Sequence, residues 1–150
     1  MKYCLMLFLT ISLTIFNNGA FGEPEKDPVH GAMKAMDKFM SAFNARNIKE
    51  WSESLNYPHV RFASGQVRVW ENTEAFISER DLSPLIESGW HHSRWISRDV
   101  VLSSPSKVHI ATQFRRFNSD NEPISTYRSL YIVTLVDGHW GIQARSSLAP

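Results

Sequence analysis

The sequence has 150 residues, with 16 basic and 15 acidic side chains, a net charge of +1 and one cysteine. This length predicts a single domain. The balanced charge and the lack of a basic tract argue against nucleic-acid binding, which needs a sustained positive surface. Cys4 lies in the first segment, so we expect neither a disulfide nor a thiolate metal site in the mature chain.

Residues 1–22 have the pattern of a cleaved signal peptide. A basic residue precedes an apolar run at residues 5–16, which is too short to span a bilayer. Small residues, Ala20 and Gly22, then occupy the cleavage-determining positions. We therefore expect cleavage before Glu23 and a periplasmic or secreted protein with no stable membrane insertion afterwards. A buried N-terminal helix is the alternative interpretation.

An amphipathic helix is predicted directly after a short flexible leader at residues 23–27. Asp27 followed by Pro28 is a typical helix start, with an N-cap residue and then proline at the first helical position. Apolar side chains recur at three- and four-residue steps as far as about residue 46, at Val29, Met33, Met36, Met40 and Phe43. This stripe predicts that the helix buries one face against the rest of the domain.

Two shorter helices and a hairpin are predicted in the middle of the chain. Asn47 and Asn72 are candidate N-caps, and each precedes a short helical pattern. Between them, residues 56–70 alternate apolar and polar side chains on both sides of an Ala-Ser-Gly turn, which is typical of a hairpin. The alternation places His59 and Arg61 on one face of the strand and the apolar residues Val60 and Phe62 on the other.

The second half of the chain predicts four consecutive strands joined by short turns. They cover roughly residues 90–103, 107–117, 124–136 and 139–147. Asp137 followed by glycine, between the last two, is a strong hairpin signal. Strands in this order form an antiparallel meander. In the last strand, alternation assigns Arg145 to the face opposite to Trp140 and Ile142.

Three segments suggest a family. They are Ala35-Met36-Asp37-Lys38-Phe39-Met40 in the first helix, Asn56-Tyr57-Pro58-His59-Val60-Arg61 at the hairpin and Asp137-Gly138-His139-Trp140-Gly141-Ile142 at the last turn. Together with the order of elements, they resemble the NTF2-like superfamily (SnoaL-like, ketosteroid-isomerase-like) over residues 28–150. The resemblance implies an α+β cone in which three N-terminal helices pack in the concave face of a curved, mostly antiparallel sheet. It also implies a pocket between sheet and helices and, often, a homodimer formed through the sheet's outer face.

Two residues are candidate catalytic groups. The resemblance places His59 beside the pocket, where a histidine can act as a general base because its pKa lies near working pH. Tyr127 shares one strand face with Tyr131, and a buried tyrosine hydroxyl can polarise a carbonyl. The alternative interpretations are a histidine bonded to a backbone carbonyl and tyrosines that pack at a sheet interface.

The candidate ligand-binding side chains are aromatic or cationic. Aromatic side chains bury the apolar part of a ligand, and the guanidinium of an arginine that faces a pocket binds a carboxylate through two parallel hydrogen bonds. The candidates are Tyr57, Arg61, Trp70, Trp95, Tyr131 and Arg145. Plain core aromatics and solvated arginines are the alternative interpretation. His91 and His92 point to opposite strand faces, so no metal site is expected, and no motif indicates a cofactor.

Three functions remain open from the sequence. The first is an exported domain that binds a small apolar or aromatic molecule with a carboxylate or carbonyl end. The second is a small isomerase, cyclase or dehydratase, with His59 as base and Tyr127 or Tyr131 stabilising an enolate. The third is a homodimeric assembly module with a collapsed pocket. The fold alone does not choose between them, because this scaffold hosts many unrelated functions.

Overall fold

A computed structural model describes residues 27–63 and 65–150, so the predicted signal peptide and most of the leader lie outside the described residues. The helices are α1 (Pro28–Asn44), α2 (Ile48–Ser52), α3 (Thr73–Ser78) and α4 (Ser83–Glu87). The strands are β1 (Leu55–Ala63), β2 (Gln66–Trp70), β3 (His92–Ser104), β4 (Lys107–Phe117), β5 (Pro123–Val136) and β6 (His139–Ser147). None of the described helices is long and apolar enough to cross a membrane.

Helix α1 begins and packs as its sequence predicts. The Asp27 side chain accepts a hydrogen bond from the Val29 N–H at 2.9 Å, which caps the first turn. Met36 is 0% exposed and Met40 9% exposed, so the methionine stripe lies in the core. The helix packs on the concave side of the sheet and contacts β3, β4, β5 and β6. Its buried residues are Gly31, Ala32, Ala35, Met36, Phe39, Met40 and Ala42.

The six strands form one curved, open, mixed sheet in the order β2-β1-β6-β5-β4-β3. The predicted meander is confirmed, because β3, β4, β5 and β6 pair antiparallel with their neighbours in chain order. The predicted hairpin is also confirmed as the antiparallel pair of β1 and β2. The hairpin joins the sheet through a parallel pairing of β1 with β6, which places Arg61 opposite Arg145.

A bulge in β6 corrects the predicted faces of that strand. Val133 pairs with Ile142, but Ile132 pairs with Ala144, so Gln143 is an extra residue in β6. Because one inserted residue reverses the alternation beyond it, Arg145 lies on the same concave face as Ile142 rather than opposite to it.

The convex face of the hairpin is apolar and exposed. Val67 is 60% exposed and Phe62 46% exposed, and both lie opposite to the concave face that holds Arg61. Such a surface is compatible with a partner subunit. The homodimer stays a prediction.

The four helices include one more short segment, α4, than the three predicted. The α+β class and the cone-like packing of helices in the concave face are as predicted. Pro58 lies inside β1, between Leu55 and Val60, where the pairing with β6 is irregular. Proline is tolerated at such an irregularity because a residue without an N–H need not donate to the neighbouring strand there.

Candidate functional site

A cavity of about 380 Å³ lies between the concave face of the sheet and the helices. Helices α1 and α2 form its inner wall, and the segment from Arg80 to Ser88 forms its outer wall. The lining residues are Phe39, Met40, Phe43, Trp51, Arg61, Arg80, Asp81, Leu82, Pro84, Leu85, Ser88, Ser93, Phe114, Arg116, Tyr131, Arg145, Ser147, Ala149 and Pro150. Its volume lies in the range of small-molecule sites. The third function considered from the sequence assumed a collapsed pocket, whereas the structure describes an open cavity here.

One wall of the cavity consists of packed aromatic rings. Phe39 lies edge-on to Trp51 and to Tyr131, with ring centroids 5.7 Å apart in both pairs. Phe43 packs on Trp51 with a centroid distance of 4.9 Å. Edge-to-face rings at these distances hold one another in place. The cavity thus offers a packed apolar surface to a flat or apolar ligand.

Four arginines, one from each of four separate segments, surround this apolar wall. Arg61 comes from β1, Arg116 from β4 and Arg145 from β6, whereas Arg80 follows α3. The Nε–H of each of the four guanidinium groups is buried and has no hydrogen-bond partner. A buried donor without a partner costs about 1–3 kcal/mol, and more when the group is charged. Four arginines, each with an unpaired buried donor, therefore gather around one cavity.

Within the described residues, none of the hydrogen bonds of these guanidinium groups goes to an acidic side chain. Arg61 donates to the main-chain oxygen of Pro150 at 3.2 Å. Arg145 donates to the Tyr131 hydroxyl at 3.4 Å. Arg80 lies over the Trp70 ring, 4.3 Å from its centroid. Within residues 27–63 and 65–150, no aspartate or glutamate oxygen lies within 4.0 Å of any of the four groups.

Burial and mutual repulsion lower the pKa of three of these arginines, Arg61, Arg80 and Arg116. Burial, followed by the charges of Arg145 and Arg80, lowers the pKa of Arg61 to about 10. Burial is also the main cause that lowers the pKa of Arg80 and of Arg116, and Arg145 contributes to both. All remain cationic near neutral pH because a guanidinium is so strongly basic.

Asp81 is the sole acidic residue that lines the cavity among the described residues. It is exposed, and its carboxylate accepts a hydrogen bond from the Ser83 N–H at 2.8 Å. This bond lowers the pKa of Asp81 and directs its charge toward α4. The cavity lining therefore has a net positive charge, and such a charge attracts anionic molecules.

His59 faces the concave side but lies outside the cavity lining. It is 3% exposed, and its Nδ1 lies 3.0 Å from the Ile142 carbonyl oxygen. Its ring stacks on Trp70 at 5.8 Å and meets the edge of Phe76 at 6.2 Å. These rings enclose it, so a molecule in the cavity does not reach its nitrogens. The structure matches the alternative interpretation of a histidine bonded to a backbone carbonyl.

The burial of His59 predicts a pH-dependent stability. Burial lowers the pKa of His59 to about 4 from its ordinary value of 6.5, and the nearby Arg145, Arg80 and Arg61 add to the effect. Between these two values the unfolded chain binds a proton at His59 that the folded protein does not. The free energy of unfolding should therefore fall as the pH drops from 6.5 to 4, with a slope approaching one proton.

Urea denaturation at half-unit pH steps measures this slope. His59→Gln should reduce it, whereas His109→Gln on the convex face of β4 should keep it. An unchanged slope in His59→Gln would show that His59 is accessible to protons in the folded state.

The structure places three of the predicted ligand-binding residues in the cavity, namely Arg61, Tyr131 and Arg145. The others lie behind its walls. The Tyr57 hydroxyl donates to the Ser52 carbonyl at 3.1 Å, and the Trp70 Nε1–H donates to Glu79 at 2.8 Å. Trp95 packs edge-on behind Tyr131, with ring centroids 5.5 Å apart. The predicted catalytic Tyr127 also lies outside, where it packs on Phe114.

Sequence reasoning missed Arg80 and Arg116. Arg116 follows Phe114 on the concave face of β4, so strand alternation could have found it. Arg80 lies in the connection after α3, where no periodic signal points to the cavity. Its position depends on the ring of Trp70, on which it rests.

No group of three or more metal-binding side chains occurs within the part of the chain that the structure describes. His91 and His92 are paired with each other, with their Nδ1 atoms 3.1 Å apart. A metal would need further ligands on the same side of β3.

Solved structures similar to this one share the fold. An NTF-2 like protein of unknown function from Shewanella oneidensis matches with a TM-score of 0.66 and 10% identity, over 81% of this chain and 99% of that chain. A protein of unknown function with a cystatin-like fold from Nostoc punctiforme matches with a TM-score of 0.66 and 7% identity, over 80% and 89%. A ketosteroid isomerase-like protein from Erwinia carotovora atroseptica matches with a TM-score of 0.58 and 14% identity, over 81% and 96%.

Sequence comparison identifies the family. No curated protein matches this chain. The model of one family, described as NTF2-like protein (DUF6841), matches residues 30–149 and so covers the helices, the sheet and the cavity. The resemblance seen in the order of elements is thereby confirmed, and the chain belongs to this NTF2-like family.

Proposed function

We propose that this protein, exported after removal of residues 1–22, binds a small molecule with an apolar or aromatic body and a carboxylate or similar anionic end. The observation that carries the proposal is the set of four guanidinium groups, on Arg61, Arg80, Arg116 and Arg145, which line an aromatic cavity and have no acidic side chain of the described residues within 4.0 Å. The aromatic wall buries the body of the ligand, and the guanidinium groups bind its charge.

The electrostatic cost of this arrangement supports the same conclusion. Like charges that share a partly buried site repel one another, and each charge loses part of its hydration. A protein without a ligand for this site would be more stable with neutral residues at these positions. An anion that enters the cavity removes both costs, since it supplies opposite charge and hydrogen-bond acceptors.

The enzymatic alternative has less support from the geometry. Of the three residues proposed for it, only Tyr131 lines the cavity, and its hydroxyl accepts from Arg145. His59 is enclosed by Trp70 and Phe76. General base catalysis requires a group within hydrogen-bond reach of the substrate, and the cavity offers only the exposed Asp81. Binding is therefore the function that the site supports best.

Isothermal titration calorimetry with a matched pair of ligands tests the proposal. Biphenyl-3-carboxylate carries a flat apolar body and one negative charge, whereas biphenyl-3-carboxamide has the same shape and no charge. We expect the carboxylate to bind at least about tenfold more tightly, because charge-assisted hydrogen bonds are stronger than neutral ones. Its affinity should also decrease as the salt concentration rises.

Equal affinity for the acid and the amide would contradict the role of the arginines. Failure of both ligands to bind would contradict the proposal as a whole. Native mass spectrometry of the protein from its own source extends the test to the natural ligand. The intact mass of the same sample shows whether the mature chain starts at Glu23.

A further inference from the structure

Three arginines form a row across three neighbouring strands. In the hairpin, Arg61 of β1 pairs with Arg68 of β2. In the parallel pair, the same Arg61 lies opposite Arg145 of β6. Side chains at paired positions point to the same face of a sheet, so the three guanidinium groups share the concave side. Like charges at directly paired positions are destabilising, and this row contains two such pairs.

The row runs from the main cavity into a second, smaller one. The second cavity has a volume of about 170 Å³ and is lined by Arg61, Ala63, Gln66, Arg68 and Pro150. Arg61 and Pro150 line both cavities and therefore form the boundary between them. A ligand that passes beside Arg61 can occupy both spaces.

The second cavity also lacks a negative side chain. Its lining contains two arginines and no aspartate or glutamate. Among the residues that the structure describes, no acidic side chain lies within 4.0 Å of the Arg68 guanidinium. The main-chain oxygen of Pro150 accepts a hydrogen bond from one of the five N–H groups of Arg61. The Nε–H of Arg61 has no partner. Because Arg61 lines both cavities, its guanidinium lies beside an acceptor in either one.

We infer that the ligand carries two anionic groups on one apolar body, and that the arginine row binds them side by side. One group lies between Arg145 and Arg61 in the main cavity, and the other lies between Arg61 and Arg68 in the second cavity. Neighbouring strands are about 5 Å apart, so the two groups are separated by roughly that distance. This inference rests on the proposed function and makes the substrate class more specific: an aromatic or apolar dianion, such as a meta-dicarboxylate.

Titration of the full mature protein with biphenyl-3-carboxylate and biphenyl-3,5-dicarboxylate tests the inference. The two carboxylates of the second ligand are meta to each other and lie about one strand spacing apart. We expect the dicarboxylate to bind about tenfold more tightly than the monocarboxylate, since it gains a second charge-assisted contact.

Arg68→Gln is the informative variant, because Arg68 is exposed and lies outside the main cavity. Arg68→Gln should abolish the tenfold preference for the dicarboxylate. It should change the affinity for the monocarboxylate by no more than about twofold, since an exposed charge has little effect beyond its direct contacts. Arg128→Gln removes the same charge from the convex face of β5 and is the matched control. It should retain the preference.

The outcomes separate the two proposals. If both ligands bind wild-type protein with equal affinity, or if Arg68→Gln keeps the preference, the second anionic site is refuted and the proposed function stands. If neither ligand binds, the proposed function fails and the inference fails with it. Equal losses of preference in Arg68→Gln and Arg128→Gln would indicate a general charge effect and would also refute the second site.

Discussion

Replacing Arg145 by methionine should weaken the binding of biphenyl-3-carboxylate about 100-fold, because hydrogen bonds to a charged group contribute about 1.5–3 kcal/mol. The same change should leave the free energy of unfolding unchanged or raise it slightly. Opposite signs are expected because the proposed function assigns Arg145 to ligand binding and not to the stability of the fold. Calorimetry measures the first, and urea denaturation without ligand measures the second.

The position of Arg145 explains both expectations. Its charge contributes to the lowered pKa of Arg61, of Arg80 and of Arg116, so it is the member of the group whose charge acts on all three of the others. Its Nε–H has no partner, and its guanidinium carbon lies 5.7 Å from the ring centre of Phe39. Methionine retains an apolar side chain of similar length beside that ring. Removing the charge thus relieves repulsion while the packing remains.

Arg128→Met is the control for Arg145→Met, since it removes an arginine of the neighbouring strand from the convex face. It should change the affinity by less than about twofold. A variant Arg145→Met that unfolds more easily and still binds the carboxylate normally would show that Arg145 is a structural residue. That result would remove the main support for the proposed site.

Gly31→Ala should destabilise the protein by about 2 kcal/mol, although Gly31 lies inside helix α1. A methyl group there would overlap the Cδ1 and Nε1 atoms of Trp140 and lie 2.9 Å from its Cε2. Forcing an extra carbon into a packed contact typically costs about 1–3 kcal/mol. The overlaps with the Trp140 ring are deep, so the cost lies at the upper end, about 3 kcal/mol. The gain of about 1 kcal/mol that alanine brings to a helix then leaves a net loss of about 2 kcal/mol. Thermal or urea denaturation measures the net effect.

A double variant shows whether the Trp140 ring is the cause. In a Trp140→Leu background, the smaller side chain leaves room, so Gly31→Ala should become stabilising by about 1 kcal/mol. The change of sign between the two backgrounds is the decisive observation. If Gly31→Ala stabilises the protein that retains Trp140, then α1 does not press against β6 as the structure shows.

Local patterns in the sequence were sufficient for most of the elements. Helix α1 has its own cap at Asp27 and its own apolar stripe, and both signals lie within a few residues of the structure that they predict. The meander is equally local, because the turns at Asp137 and Gly138 connect strands that pair with each other. The order of these elements then sufficed to recognise the fold class.

The candidate site depended on contacts between residues that are far apart in the chain. Arg61 meets Arg145 because β1 pairs parallel with β6, a pairing for which neither segment carries a local signal. The bulge at Gln143 turns Arg145 toward the cavity, against the simple alternation of the strand.

His59 is a second case in which the sequence predicted part of a residue's position and the tertiary structure decided the rest. The family resemblance placed it beside the pocket, but the rings of Trp70 and Phe76 decide that it is enclosed and not available to a ligand. The sequence by itself determined three of the four helices, the strands and the fold class, because these follow from periodicity and caps within each segment. Only the tertiary structure decided which side chains share the cavity, because strand register and ring packing join residues that no local pattern connects.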